Sequence, residues 1–200
     1  MVLSKVTLDL EDVHARRDLA DPYEMHATLM RLVDGGVSRP LWRLEVPRGP
    51  LPPHILVQTD EEPNPSQLRA GGTPYFTSFE SRPHLLASDL REGELLRFRL
   101  RANPTVTREG RRHGLLREQE QLAWIDRSLS KGGASDVLAT VTASGRHVMR
   151  RRRGGAPIVV QGATFDGVLR VNDVQALRRT LIEGIGHAKA LGFGLLTVAR

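Results

Sequence analysis

The chain has 200 residues, 40% hydrophobic and 26% charged, a balance that excludes both a disordered polymer and a membrane-embedded bundle. It holds no cysteine, which rules out disulfides, thiolate metal sites and thiol catalysis, and no run near the roughly 18 apolar residues that span a bilayer. The net charge is +6, but residues 1–100 hold 12 basic and 15 acidic side chains whereas residues 101–200 hold 17 and 8, which puts a polyanion surface in the second half.

Of the 29 cations 26 are Arg, whose planar fork pairs phosphate bidentately. A GC-rich genome would also favour Arg codons, so the clustering carries more weight than the count. The first ten residues include Lys5 and no small-residue cleavage site, so no secretory signal is expected, and the lack of cysteine agrees with a reducing cytoplasm.

Val2 to Leu8 alternates and predicts a strand. Asp21-Pro22-Tyr23-Glu24 then opens a helix that runs to about Val33, with a capping Asp, Pro at the first helical position and Glu at the third. Met25, Leu29, Leu32 and Val33 form its buried stripe, which leaves His26 on the flank and Tyr23 closer to solvent. Strands follow at Leu41–Val46 and His54–Gln58. A polar, Pro-rich stretch over 60–83 interrupts the pattern, with a short helix near Ser66 or Ser88. Leu96, Phe98 and Leu100 next alternate with Arg97, Arg99 and Arg101, giving a strand with one apolar and one guanidinium face. The order β-α-β-β-(α)-β is that of a ferredoxin-like unit, closed by Asn103-Pro104.

The second half opens on a basic loop (Arg108, Arg111, Arg112) and a helix from about Arg117 to Lys131, ended by Gly132-Gly133, with Leu122, Ile125 and Leu129 inward. Strands are expected at Val137–Thr142, at Arg146–Arg150 and across Ile158–Val171, the last broken near Asp166-Gly167. A helix over Asp173–Glu183, with Val174, Leu177 and Leu181 inward, and a strand at Leu195–Val198 complete the pattern. The reading is an α+β protein of two tandem ferredoxin-like (RRM-like) domains, residues 1–104 and 105–200.

Tyr23 and His26 lie three apart on one helix and can meet. The positive end of the helix dipole disfavours imidazolium and attracts a phosphate. His does proton work near neutral pH, and a Tyr hydroxyl orients or donates, which is what RNA cleavage by its own 2′-hydroxyl requires. On spacing alone, a His that borders the core and a Tyr that covers the helix start is the simpler reading.

The remaining histidines show neither HExxH nor Cys/His ligand spacing, and no dense carboxylate cluster suggests a two-metal nuclease, so neither metal nor cofactor is expected. No Walker A or G-x-S-x-G sequence occurs. Arg150, Arg151, Arg152 and Arg153, followed by Gly154-Gly155 and flanked by strands, read as a hairpin tip that reaches the phosphates of a stem, or else as a solvated loop. Five Phe, two Tyr and two Trp are too few for a single-strand stacking platform, which favours a double-stranded hairpin. The segment Gly184–Gly194 is the densest glycine cluster and contains Lys189, a phosphate partner; a plain packed turn fits it equally well.

Four stretches together resemble the CasE-type CRISPR repeat endoribonucleases of the type I-E system over nearly the whole chain. They are Leu3-Ser4-Lys5-Val6, Tyr23-Glu24-Met25-His26, the run from Arg97 to Pro104, and the glycine-rich segment from Gly184 to Leu196. The resemblance implies recognition of the repeat hairpin of precursor CRISPR RNA and metal-independent cleavage at the 3′ base of its stem. It implies products with a 5′-hydroxyl and a 2′,3′-cyclic phosphate or its 3′-phosphate derivative, and assembly with other Cascade subunits. By position, His26 matches the catalytic histidine and Tyr23 the tyrosine that assists it. Arg150–Arg153 match a basic hairpin, and Lys5 and Arg31 join Lys189, Arg108, Arg111 and Arg112 as expected RNA contacts. The reading from a different class is a non-catalytic subunit that binds the RNA hairpin within a ribonucleoprotein complex; an RNA scaffold protein such as a ribosomal one is a third.

Overall fold

The computed structural model describes residues 1–33, 39–47, 49–68, 74–84, 89–149 and 157–200. They fall into two compact units, one of Met1–Leu85 with Ala190–Gly192, the other of Leu86–Lys189 with Phe193–Arg200.

The first unit runs β1 (Val2–Leu8), α1 (Val13–Ala20), α2 (Pro22–Leu29) continued by a 3-10 turn over Met30–Leu32, β2 (Leu41–Glu45), β3 (His54–Thr59), a 3-10 turn over Pro65–Leu68 and β4 (Phe76–Pro83). Its sheet has the order β2-β3-β1-β4, antiparallel throughout. The two-residue period puts Val6, Leu8, Trp42, Ile55 and Val57 into one core with Met25, Leu29 and Leu32 of the α2 segment. Both helices begin on an Asp cap: Asp12 accepts from the Ala15 amide and Asp21 from the Tyr23 amide, each at 2.8 Å.

The second unit runs β5 (Leu95–Ala102), a hairpin of β6 (Thr105–Arg108) and β7 (Arg111–Gly114), α3 (Glu118–Lys131), β8 (Ala134–Met149), β9 (Ile158–Val171), α4 (Val174–Glu183) and β10 (Leu196–Ala199). Its sheet order is β10-β5-β9-β8. Numbered within its own unit, each sheet reads 4-1-3-2, the ferredoxin-like order. Leu96, Phe98 and Leu100 of β5, Phe165 and Leu169 of β9, Ile125 and Leu129 of α3, and Leu177 and Leu181 of α4 are buried.

The boundary expected at Pro104 is displaced. The strand of Leu96, Phe98 and Leu100 pairs with β9 and β10 as the first strand of the second unit, and the fourth strand of the first unit is β4, in the stretch read as irregular. The asymmetry of charge survives the shift, with 9 basic against 12 acidic residues in the first unit and 20 against 11 in the second. The two short strands expected around Ser144-Gly145 are one strand, β8, kinked by register shifts at Ser135/Leu138 and Val141/Ala143. β9 is unbroken at Asp166-Gly167, because a Cβ on Gly167 would lie 2.1 Å from the Leu138 carbonyl oxygen; only glycine lets the neighbouring strand approach there. On α3 Leu122 is only partly buried, and Gln121 takes the inner position, donating to the Leu115 carbonyl at 2.8 Å and to Ser144 Oγ at 2.9 Å. Among the described residues no helix is long and apolar enough to cross a membrane.

Candidate active site and nucleic-acid interface

In the first unit the site is built on α2. Asp21 and Pro22 fix its start, and Met25 and Leu29 drive its inner face into the core. That leaves His26 half-buried beside the core, one helical turn from Tyr23. His26 Nδ1 is enclosed and has no hydrogen-bond partner among the described residues. Burial pulls the His26 pKa below the ordinary 6.5, and the positive charge of Arg39 pulls it further. Both causes favour the neutral imidazole. Arg31, on the turn that continues α2, donates to Thr28 Oγ1 at 3.1 Å. Arg39, exposed ahead of β2, is a cation that the sequence reading missed; only the fold brings its charge to His26. Lys5 does not join this group. It projects from β1 on the face opposite Val6 and Leu8, and its charge acts on His54, whose pKa is lowered first by burial and then by Lys5.

In the second unit, Arg108, Arg111 and Arg112 are exposed on the β6–β7 hairpin, which turns on Glu109 (φ 51°) and Gly110 (φ 71°). Arg108 faces Arg111 and Thr107 faces Arg112. None of the three arginines is ion-paired among the described residues. Lys189 donates to the Glu183 carbonyl at 2.6 Å. Between hairpin and lysine stands His187, its pKa lowered by burial and then by the charges of Arg112 and Lys189. Two segments that the sequence offered separately thus border one basic patch. Arg150–Arg153 lie outside the described residues.

The arginine row of β5 is engaged in the fold. Arg97 donates to the Arg200 carbonyl at 2.9 Å, Arg99 pairs with Asp166 at 3.2 Å, and Arg101 covers the Phe193 ring. The glycine-rich segment is likewise shaped by packing: the Gly194 amide donates to the Arg101 carbonyl at 2.7 Å, and its carbonyl accepts from the Ile185 amide at 2.9 Å. Among the described residues no three His, Asp or Glu side chains gather as metal ligands do.

These features define a tandem ferredoxin-like protein with a histidine-bearing capped helix in one unit and a basic patch in the other. A family model described as CRISPR associated protein matches residues 1–200, and the chain belongs to that family, in its CasE-type branch. It is 40% identical over 215 residues to the CRISPR-associated endoribonuclease Cse3 of Thermus thermophilus, with 100% of each chain covered. It is 29% identical over 218 residues to the CRISPR system Cascade subunit CasE of Escherichia coli, covering 100% of this chain and 99% of that one. A solved structure of Thermus thermophilus Cse3, bound to an RNA representing a pre-cleavage complex, superimposes with a TM-score of 0.88 at 38% identity, over 100% of this chain and 98% of the other.

Proposed function

We propose that this chain is a CRISPR repeat endoribonuclease that binds the stem-loop of precursor CRISPR RNA, cuts at the 3′ base of the stem without a metal ion, and stays with the product in Cascade, in the cytoplasm. The observation that carries the reading is His26. It is a half-buried imidazole with a depressed pKa, placed beside Tyr23 on a phosphate-attracting helix start, in a chain similar from end to end to a named endoribonuclease.

Cleavage needs a base for the 2′-hydroxyl, an acid for the 5′-oxygen and donors for the phosphate. Neutral His26 accepts the 2′-hydroxyl proton on Nε2 while the 2′-oxygen bonds to phosphorus. The P–O5′ bond breaks, and the imidazolium returns that proton to the departing oxygen, leaving a 5′-hydroxyl and a 2′,3′-cyclic phosphate that water opens to a 3′-phosphate. The phosphate charge stabilises the transient imidazolium that burial and Arg39 disfavour in the free protein. Tyr23 donates to a non-bridging oxygen and orients the phosphate. Arg108, Arg111, Arg112 and Lys189 hold the stem through its phosphates. Arg31, beside α2, Lys5, on the far face of the first sheet, and Arg150–Arg153 complete the proposed contact set.

The test is cleavage of the repeat hairpin by the parent and by His26→Ala. Cleavage lost with binding retained supports the enzyme; an intact RNA with the parent supports a non-catalytic hairpin-binding subunit.

A further inference from the structure

Asp18 is a carboxylate buried at the core of the first unit, its side chain 0% exposed. Such a charge is costly unless it is paired and hydrogen-bonded. Its partners come from two places in the chain. Arg17 donates to Oδ1 from Nε at 2.9 Å and from Nη2 at 2.7 Å, and the Tyr75 hydroxyl, just ahead of β4, donates to Oδ2 at 3.0 Å. Burial first, and then the Asp18 charge, hold the Tyr75 hydroxyl far above the ordinary phenol range, so it remains a donor at every working pH.

The network ends on α2. The Tyr75 oxygen lies 3.5 Å from Met25 Sδ, and Arg17 reaches Glu24 Oε2 at 3.6 Å. Glu24 thus meets Arg17 of α1 and Met25 meets Tyr75, just ahead of β4, and the two residues sit between Tyr23 and His26. An apolar cluster of similar volume would stabilise the unit at least as well. What a satisfied buried network adds is a single arrangement of the elements it joins.

We infer that Asp18 and Tyr75 are positioning residues for the RNA cleavage reaction: their hydrogen bond holds α2 in the one placement that presents His26 to the scissile phosphate. The inference rests on the ribonuclease reading above. Neither residue touches RNA or reacting atoms; they act through the helix.

The experiment compares single-turnover cleavage of the repeat hairpin with its equilibrium affinity, in the full chain, for the parent, Tyr75→Phe and Asp18→Asn. Circular dichroism at the assay temperature verifies the fold, and if Asp18→Asn unfolds, Tyr75→Phe carries the test. Loss of the Tyr75 hydroxyl is expected to slow cleavage about tenfold while RNA affinity stays within about twofold, since a small misplacement of a reacting group costs rate and not binding. Repeated on a His26→Ala background, Tyr75→Phe leaves the residual rate unchanged, because both act on one step. Parental rates in Tyr75→Phe, an equal slowing on both backgrounds, or a loss of affinity that accounts for the loss of rate overturns the inference. A parent that leaves the hairpin intact overturns the ribonuclease reading and this inference with it, whereas a cutting parent beside an unaffected Tyr75→Phe overturns the inference alone.

Discussion

The Arg101 guanidinium carbon lies 4.8 Å from the centroid of the Phe193 ring, while the His147 ring meets the same phenyl edge-on at 5.8 Å. A residue read from the alternation of β5 as one of three outward cations is thus part of how the glycine-rich segment is seated. Phe193 is buried, so Phe193→Ala is expected to destabilise the second unit by about 3–5 kcal/mol. Arg101→Ala, which removes the cation over the ring, costs about 1 kcal/mol. Urea denaturation followed by circular dichroism reads both.

Gly192 has φ +80°, and a Cβ there would lie 2.7 Å from the Trp42 ring, inside the first unit. Gly192→Ala meets both a left-handed backbone and a bulky aromatic, so it lowers stability by about 1–3 kcal/mol. The midpoint of thermal unfolding checks this, and an unchanged midpoint means the ring moves aside freely.

The unpaired arginines of the β6–β7 hairpin separate from the paired ones of β5 in their salt dependence. Arg111→Ala and Arg112→Ala each reduce the slope of log affinity against log salt for the repeat hairpin by about 1 where one phosphate contact is lost. Arg99→Ala, whose cation already holds Asp166, leaves the slope unchanged. Filter binding across a salt series distinguishes the two groups.

On the proposed mechanism His26 works as a base in its neutral form, so cleavage is expected to rise with pH through its pKa. The acid limb of kcat/KM reports the free protein and has its midpoint below 6.5, because burial and the Arg39 charge both disfavour imidazolium. The limb of kcat, with the phosphate in place, lies higher. Arg39→Ala removes the smaller of the two causes and moves the kcat/KM midpoint upward, though not to 6.5. A pH–rate profile of the parent and this variant checks the sign.

The parts of the fold legible in the sequence were those in which local signals agree. The alternation of β1, the Asp-Pro opening of α2, and the apolar stripes of α3 and α4 each specify an element through its own residues. β4 escaped because Phe76 and Phe79 are its only large apolar side chains, set among Thr, Ser, Glu and Arg, and do not alternate. α1 escaped because its inner positions are Ala15 and the buried Asp18, a residue that reads as surface until Arg17 and Tyr75 are placed around it. β5 was recognised as a strand and assigned to the wrong sheet, since alternation reveals a strand but not its neighbours.

The candidate site divides in the same way. Tyr23 and His26 were visible because one helix carries both at a fixed spacing. Arg39 and the Asp18–Tyr75 bond were not, because they reach α2 from elsewhere in the chain. Lys5, expected as an RNA contact, stands next in sequence to the buried Ser4, and the two-residue period of β1 turns it to the face away from Val6 and Leu8.

The most direct measurement of the central claim uses the repeat hairpin RNA in EDTA, as ribose throughout and with a single 2′-deoxy nucleotide at the 5′ side of the expected cut. The account predicts that the parent cuts the all-ribose RNA once, at the 3′ base of the stem, leaving a 5′-hydroxyl and a 2′,3′-cyclic phosphate or 3′-phosphate, that the 2′-deoxy RNA stays intact although bound, and that His26→Ala binds both, cutting the all-ribose RNA only at a small residual rate and the 2′-deoxy RNA not at all. Normal cleavage of the 2′-deoxy RNA, or cleavage that EDTA abolishes, contradicts it.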